Sequence, residues 1–235
     1  MSSTQVAPLL SISGLTKRFG VVTALWNVDL SILPGDFVAI FGPNGAGKST
    51  LLQLVAQLSK PSEGSIEFPE AADSGREEVG YVSHMSLLYN DLTGFENLVF
   101  FARLYGIEKP VERANELLEK MNLKQARNQF AGSYSSGMKQ RLKIARAMLH
   151  EPRLLLLDEP YAGLDQHGSR LLTGLLKQLR EEQRTVLLIT HNLGEGLDLS
   201  SRIVIMNRGQ VVYRAARDDV DETGFESLYF RTVEG

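Results

Sequence analysis

The sequence predicts an α/β fold: a phosphate-loop core on a parallel sheet, with an antiparallel β subdomain and a helical subdomain. Three observations carry that prediction. The first is a set of apolar runs of strand length, 36–41, 153–158 and 185–190, each followed by a turn and a helical pattern. The second is the glycine-rich stretch Gly42, Pro43, Asn44, Gly45, Ala46, Gly47, Lys48, Ser49, Thr50, between the first of those runs and a helix. The third is a change from strand-like to helical periodicity after Asp91, reversed after Pro152. A single domain follows, with 1–84 and 151–215 as the α/β core and β subdomain, 85–150 as the helical subdomain and 216–235 as a tail.

The elements follow in order. Residues 9–13 read as a strand, and 15–19 lead to a turn at Gly20. Residues 21–32 continue in strand style, with apolar alternation in the second half. Pro34 and Gly35 turn the chain into the strand that ends at Gly42. A helix is expected over 48–58, a short strand at 65–68, loops over 69–78 and a core strand at 79–83. Phe95, Leu98, Val99, Ala102 and Tyr105 recur at helical spacing. Residues 110–121 form a second helix with proline in its first turn, and 136–149 a third. Beyond the strand at 153–158 come a helix over 166–180, a strand over 185–190, a short helix over 193–199 and a hairpin of 202–206 with 210–214. The last twenty residues, with Asp218, Asp219 and Asp221, read as a surface tail.

Composition narrows the function. The chain of 235 residues has 43% hydrophobic residues, enough for an ordinary core, and a formal net charge of −3. The absence of a long basic block argues against a dedicated nucleic-acid binder. There is no cysteine, which excludes disulfides, thiolate metal sites and a cysteine nucleophile. No apolar run approaches the roughly 20 residues of a membrane helix, and residues 1–8 lack the pattern of a signal peptide. Work at a membrane would therefore require a partner.

The chemistry begins in the glycine-rich stretch, which fits G-x-x-x-x-G-K-[S/T] at Gly42, Gly47, Lys48 and Ser49. Glycines let the backbone wrap a phosphate closely and turn its N–H groups inward. Lys48 would reach the β- and γ-phosphates, and Ser49 would place its hydroxyl on Mg²⁺. The phosphates would rest on a helix N-terminus. Asp158 and Glu159 end an apolar strand, where an aspartate can hold Mg²⁺ and a second carboxylate can activate water. Strand alternation is expected to send the two acids to opposite sides. His191 ends the next strand on the side where ligands collect in parallel sheets. Ser135 and Ser136 can cap the helix that follows, and Gly137 allows close backbone approach, so this helix start could bind a second phosphate.

Taken in order, these motifs resemble those of the ATP-binding subunit of ABC transporters over nearly the whole chain. The glycine-rich stretch looks like Walker A, and 154–159 like the Walker B strand with its catalytic glutamate, Glu159. Residues 134–138 stand where the family has Leu-Ser-Gly-Gly-Gln, and they keep Ser135 and Gly137 as γ-phosphate contacts. Residues 162–165 match the D-loop, and His191 the switch histidine. Phe19 takes the place of the aromatic that stacks on adenine. The resemblance implies ATP and Mg²⁺ as ligands, a membrane permease as partner and a head-to-tail pair of ATPase subunits. It further implies a place on the cytoplasmic face of the cell membrane and no direct nucleic-acid contact. His84 stands in place of the usual glutamine that contacts Mg²⁺, which would make the site sensitive to pH. The run His84–Thr93, with Glu96–Leu98 and Phe101–Gly106, is similar to the ATP-binding subunit of the haem exporter of cytochrome c maturation. Another bacterial exporter, a soluble ABC ATPase acting on nucleic acid or ribosomes, and a binding-only cassette stand as alternatives.

Overall fold

The computed structural model describes residues 7–69, 78–83, 85 and 87–234. His84 lies outside the described residues, as do 70–77 of the loop expected before the fifth strand. The α/β core is present, and its sheet is parallel except at one edge. The strands are β1 Leu10–Phe19, β2 Val22–Ile32, β3 Phe37–Phe41, β4 Glu63–Glu67, β5 Val79–Val82, β6 Leu154–Asp158, β7 Thr185–Ile189, β8 Arg202–Asn207 and β9 Gln210–Ala216. Among the described residues, β5-β6-β7-β3-β8-β9 form one sheet, and β2-β1-β4 a separate antiparallel one. In the larger sheet only the β8–β9 hairpin pairs antiparallel.

Both faces of the larger sheet are covered, which is why β3 is apolar throughout and β6 and β7 have unbroken apolar centres rather than alternating, with the polar residues Asp158 and Thr185 at their ends. Val38 and Ile40 face α1 (Lys48–Val55) and the small sheet, so α1 is packed between the two sheets. Phe37 faces the other way, into a core shared with α2 (Gly94–Leu104), α3 (Pro110–Lys120), α4 (Ser136–Ala147) and α5 (Gln166–Glu181). Ala39 and Phe41 meet α6 (Leu193–Leu199) and α7 (Phe225–Glu234). In the chain, α2, α3 and α4 all come between β5 and β6.

Three local outcomes differ from the sequence reading. The two pieces expected in the opening strand are one strand, β1, bent where its register shifts beside Gly14, whose φ of 57° favours glycine. Helix α1 stops at Val55 rather than at residue 58. Gln57 takes φ 55°, and Leu58 N–H closes back on Gln53 O at 2.9 Å, a left-handed helix end with no glycine to announce it. The C-terminal segment is not a bare surface tail. Phe225 is 1% exposed and meets Phe41 edge-on, with ring centroids 5.4 Å apart, which docks α7 on the sheet.

The start of α2 is built by local polar bonds. Thr93 Oγ1 accepts from Glu96 N–H and a Glu96 carboxylate oxygen accepts from Thr93 N–H, a closed capping box. Asn97, fully buried, accepts from Tyr89 N–H and donates to Tyr89, Leu92 and Thr93 carbonyls. Its amide therefore fixes the 89–93 turn. Asn97→Ala removes these bonds and leaves Tyr89 N–H without its acceptor, while the three carbonyls keep backbone donors, and it is expected to lower stability by about 2–3 kcal/mol. Denaturant unfolding measures the loss, and an unchanged midpoint would show that the turn is held by something else.

Candidate active site

The glycine-rich loop joins β3 to α1, and its glycines are needed by the packing around it. A Cβ on Gly42 would come within 2.2 Å of Met206 O. Gly47 has φ 95°, and a Cβ there would meet Ala24 O at 2.5 Å. Gly47 also caps α1 without a side-chain bond, and the first turn of the helix holds no acid. The N–H groups at that end are left for an anion. Lys48 is buried and curls back on its own loop, its Nζ donating to Gly42 O at 2.7 Å and Pro43 O at 3.0 Å. Burial pulls its pKa down, and the charges of Glu159 and Asp158 push it back up.

A cleft of about 460 Å³ opens over this loop. Asn44 to Thr50 form its floor, and Phe19, Glu159 and His191 line its walls. Phe19 is 52% exposed, with the Lys17 ammonium 4.9 Å from its ring centroid. Ser49 Oγ donates to Asp158 Oδ1 at 3.1 Å. These are two hard oxygens, the donor set that suits Mg²⁺, which takes few protein ligands and fills its shell with water and phosphate oxygens.

The two acids do not separate by strand alternation, as the sequence reading had it. Strand β6 ends at Asp158, and Glu159 leaves with φ 51°. Glu159 N–H donates sideways to Ile189 O of β7 at 3.0 Å. That turn, not the pleat, brings Glu159 Oε1 to 2.9 Å from His191 Nε2. Among the described residues, Oε1 is buried and has no aligned hydrogen-bond donor. Burial raises the Glu159 pKa, while the positive charges of His191 and Lys48 lower it and Asp158 adds to the rise.

Ser135 and Gly137 are not among the residues lining this cleft. Ser135 caps α4, its hydroxyl accepting from Met138 N–H at 3.2 Å. Gly137 lies against Gly168 at the start of α5, where a Cβ on Gly137 would stand 3.2 Å from Gly168 Cα. Tyr134 is buried, and its hydroxyl donates to Ala126 O at 2.8 Å, so it is a core pillar of the helices. Asp165 caps α5 by accepting from Gly168 N–H.

Sequence reasoning missed four residues near the site. Val22, Thr23 and Ala24 line the cleft because β2 pairs antiparallel with β1 next to Phe19. The Gly20 turn after Phe19 was the available signal. Tyr81 of β5 donates to Asp158 Oδ2 at 3.4 Å. Burial and that carboxylate push its phenol pKa up, so the hydroxyl stays a donor. Nothing in the sequence distinguishes Tyr81 from a strand residue of the core.

Comparison with known proteins agrees with this geometry. Residues 25–162 match the family model described as ABC transporter. The uncharacterized ABC transporter ATP-binding protein YdbJ of Bacillus subtilis is 36% identical over 224 residues, which cover 92% of this chain and 72% of that protein. The sulfate/thiosulfate import ATP-binding protein CysA of Bacillus cereus is 34% identical over 225 residues, 91% of this chain and 63% of CysA. A dimeric post-hydrolysis structure of the ATP-binding cassette MJ0796, bound to ADP and Pi, superposes with a TM-score of 0.76 at 30% identity, over 88% of this chain and 98% of that one. None of these three names refers to haem export. The chain belongs to the ABC transporter family, as one of its ATP-binding and ATP-hydrolysing cassettes.

Proposed function

We propose that ATP hydrolysis in this cleft drives a membrane permease, and that a second ATPase subunit completes each site. The observation that carries the catalytic reading is the meeting of Glu159 and His191 above the phosphate loop, beside the Ser49–Asp158 pair. Phe19 stacks on adenine, and the loop amides with Lys48 hold the phosphates. Lys48 turns from its own carbonyls to the β- and γ-phosphate oxygens. Glu159 accepts a proton from the attacking water as its oxygen bonds to the γ-phosphorus and the bond to the bridging oxygen breaks. His191 holds the water and the Glu159 carboxylate together. Ser49 and Asp158 would hold Mg²⁺, which, when bound, offsets the charge of the phosphates.

Two further features support the partners. Ser135 and Gly137 do not line their own chain's cleft, so a head-to-tail mate is needed to bring them to a nucleotide. MJ0796 is dimeric with ADP and Pi, which supports the same arrangement here. A second groove of about 610 Å³ is lined by Leu58, Tyr81, Leu87, Tyr105 and Ile107 among others. Met85, Leu87, Tyr89 and Leu104 are exposed apolar residues of the same part of the chain. Of these, Leu87 lines the groove, and a permease segment seated there would cover it. Among the described residues no helix is long and apolar enough to cross a membrane, so the permease is a separate element of this reading. For the cargo we carry forward haem export, on the resemblance of 84–106. The sulfate/thiosulfate importer among the relatives supports a different cargo on the same cassette. A mild-detergent pull-down of tagged protein distinguishes them. Haem-exporter permease subunits are the expected companions; a different permease removes the haem assignment, and ribosomes with no membrane protein remove the transport reading.

The Glu159 environment fixes the sign of a pH effect. Below its raised pKa the carboxyl is protonated and cannot accept from water, so activity falls on the acid side above the ordinary value of 4.5. His191 contributes a charge that lowers this pKa. In His191→Gln the residual activity is expected to fall off at higher pH than in the wild type. A pH–rate profile measures it, and an acid limb that stays in place would separate His191 from Glu159.

A further inference from the structure

Among the described residues, both oxygens of the Asp158 carboxylate accept a hydrogen bond. Oδ1 accepts from Ser49 on α1 at 3.1 Å. Oδ2 accepts from the Tyr81 hydroxyl at 3.4 Å. The strand register explains the reach. Tyr81 of β5 pairs in parallel with Leu156 of β6, so their side chains share a face of the sheet. Asp158 is two residues beyond Leu156 and returns to that face. A phenol is long enough to span the step from the level of residue 156 to that of residue 158, whereas a phenylalanine ring ends short of it. The Tyr81 ring meanwhile packs with the apolar core around Leu154 and Leu156 and lines the groove beside Leu58 and Ile107. The ring is thus committed to packing, and the hydroxyl to Asp158.

We propose that Tyr81 is a positioning residue: its hydroxyl pins Oδ2 of Asp158 so that Oδ1 stays turned toward Ser49, where a divalent cation is to be held. This rests on the reading that Ser49 and Asp158 form the Mg²⁺ site. A carboxylate with fewer partners turns more easily about its last bond, and each rotation away from Ser49 separates the two oxygens that would hold the ion. Partners of metal-holding carboxylates act on metal affinity through this orientation. The Tyr81 bond is long, so its share is at the small end of such effects.

The test is nucleotide binding with and without metal, measured by calorimetric titration of the full chain. Mn²⁺ with ADP is the first probe, and ADP in excess chelator is the second. Tyr81→Phe keeps the ring and the groove wall and removes only the hydroxyl. It is expected to weaken Mn²⁺–ADP binding about three- to tenfold, with metal-free ADP unchanged within about twofold and the thermal midpoint unmoved. Tyr81→Leu, which removes ring and hydroxyl, is expected to show the same metal-dependent loss. Equal weakening of both nucleotide forms, or a loss in Tyr81→Leu that is absent in Tyr81→Phe, would overturn the proposal in favour of packing. Wild-type affinity for both probes in Tyr81→Phe would overturn it while leaving the phosphate site intact. Wild-type protein that bound neither probe would remove the phosphate-site reading and this one together.

Discussion

Glu159→Gln is expected to slow ATP hydrolysis by at least about a hundredfold while leaving ATP bound. The substitution keeps the size of a side chain that is largely enclosed, 2.9 Å from His191. It removes the one property the reaction requires, the capacity to accept a proton from water. Nothing in the phosphate loop changes, so Lys48 and the α1 amides still hold the nucleotide. If the γ-phosphate is what joins two chains across Ser135 and Gly137, a variant that cannot remove it stays joined. Size exclusion in ATP is therefore expected to show a dimer for Glu159→Gln and a mixture for the wild type. A variant that remained monomeric in ATP and hydrolysed at the wild-type rate would contradict the assignment.

Lys48→Ala is expected to lose hydrolysis by about 10²- to 10³-fold and to weaken nucleotide binding as well. The ammonium is buried at a cost, since desolvation pulls its pKa down. The loop offsets part of that cost with two carbonyl bonds, to Gly42 and Pro43. Phosphate oxygens offer stronger, charged acceptors in the same place. Alanine removes the charge that the phosphates would meet, so binding and rate fall together. Titration with ATP and a phosphate-release assay read the two losses. Unchanged affinity would mean that Lys48 serves the fold of the loop and not the ligand.

Much of this was legible from the residues. The apolar centres of β3, β6 and β7 announced strands buried on both faces, and the glycine-rich loop announced the strand-to-helix turn that holds phosphate. The meeting of Ser49 with Asp158 follows from the loop and the strand end, both of which the sequence marks. The path of the chain just past β6 was not legible. Glu159 is a non-glycine residue at φ 51°, held there by a bond to Ile189, a strand distant in sequence. Gln57 is a case of the same kind, a left-handed helix end without glycine. The docking of α7 was obscured by the acids at 218–221, which precede the helix; Phe225 behind them decides its place. Tyr81 was invisible for a different reason: its role depends on the register of β5 against β6, which is a property of the sheet and not of either strand.

Release of inorganic phosphate from ATP by the purified chain, with Mg²⁺ and with Mg²⁺ removed by chelator, decides whether this cleft hydrolyses ATP. Steady release is expected that requires Mg²⁺ and falls by at least about a hundredfold in Glu159→Gln. Release that persisted in chelator, or that Glu159→Gln left intact, would contradict hydrolysis in this cleft.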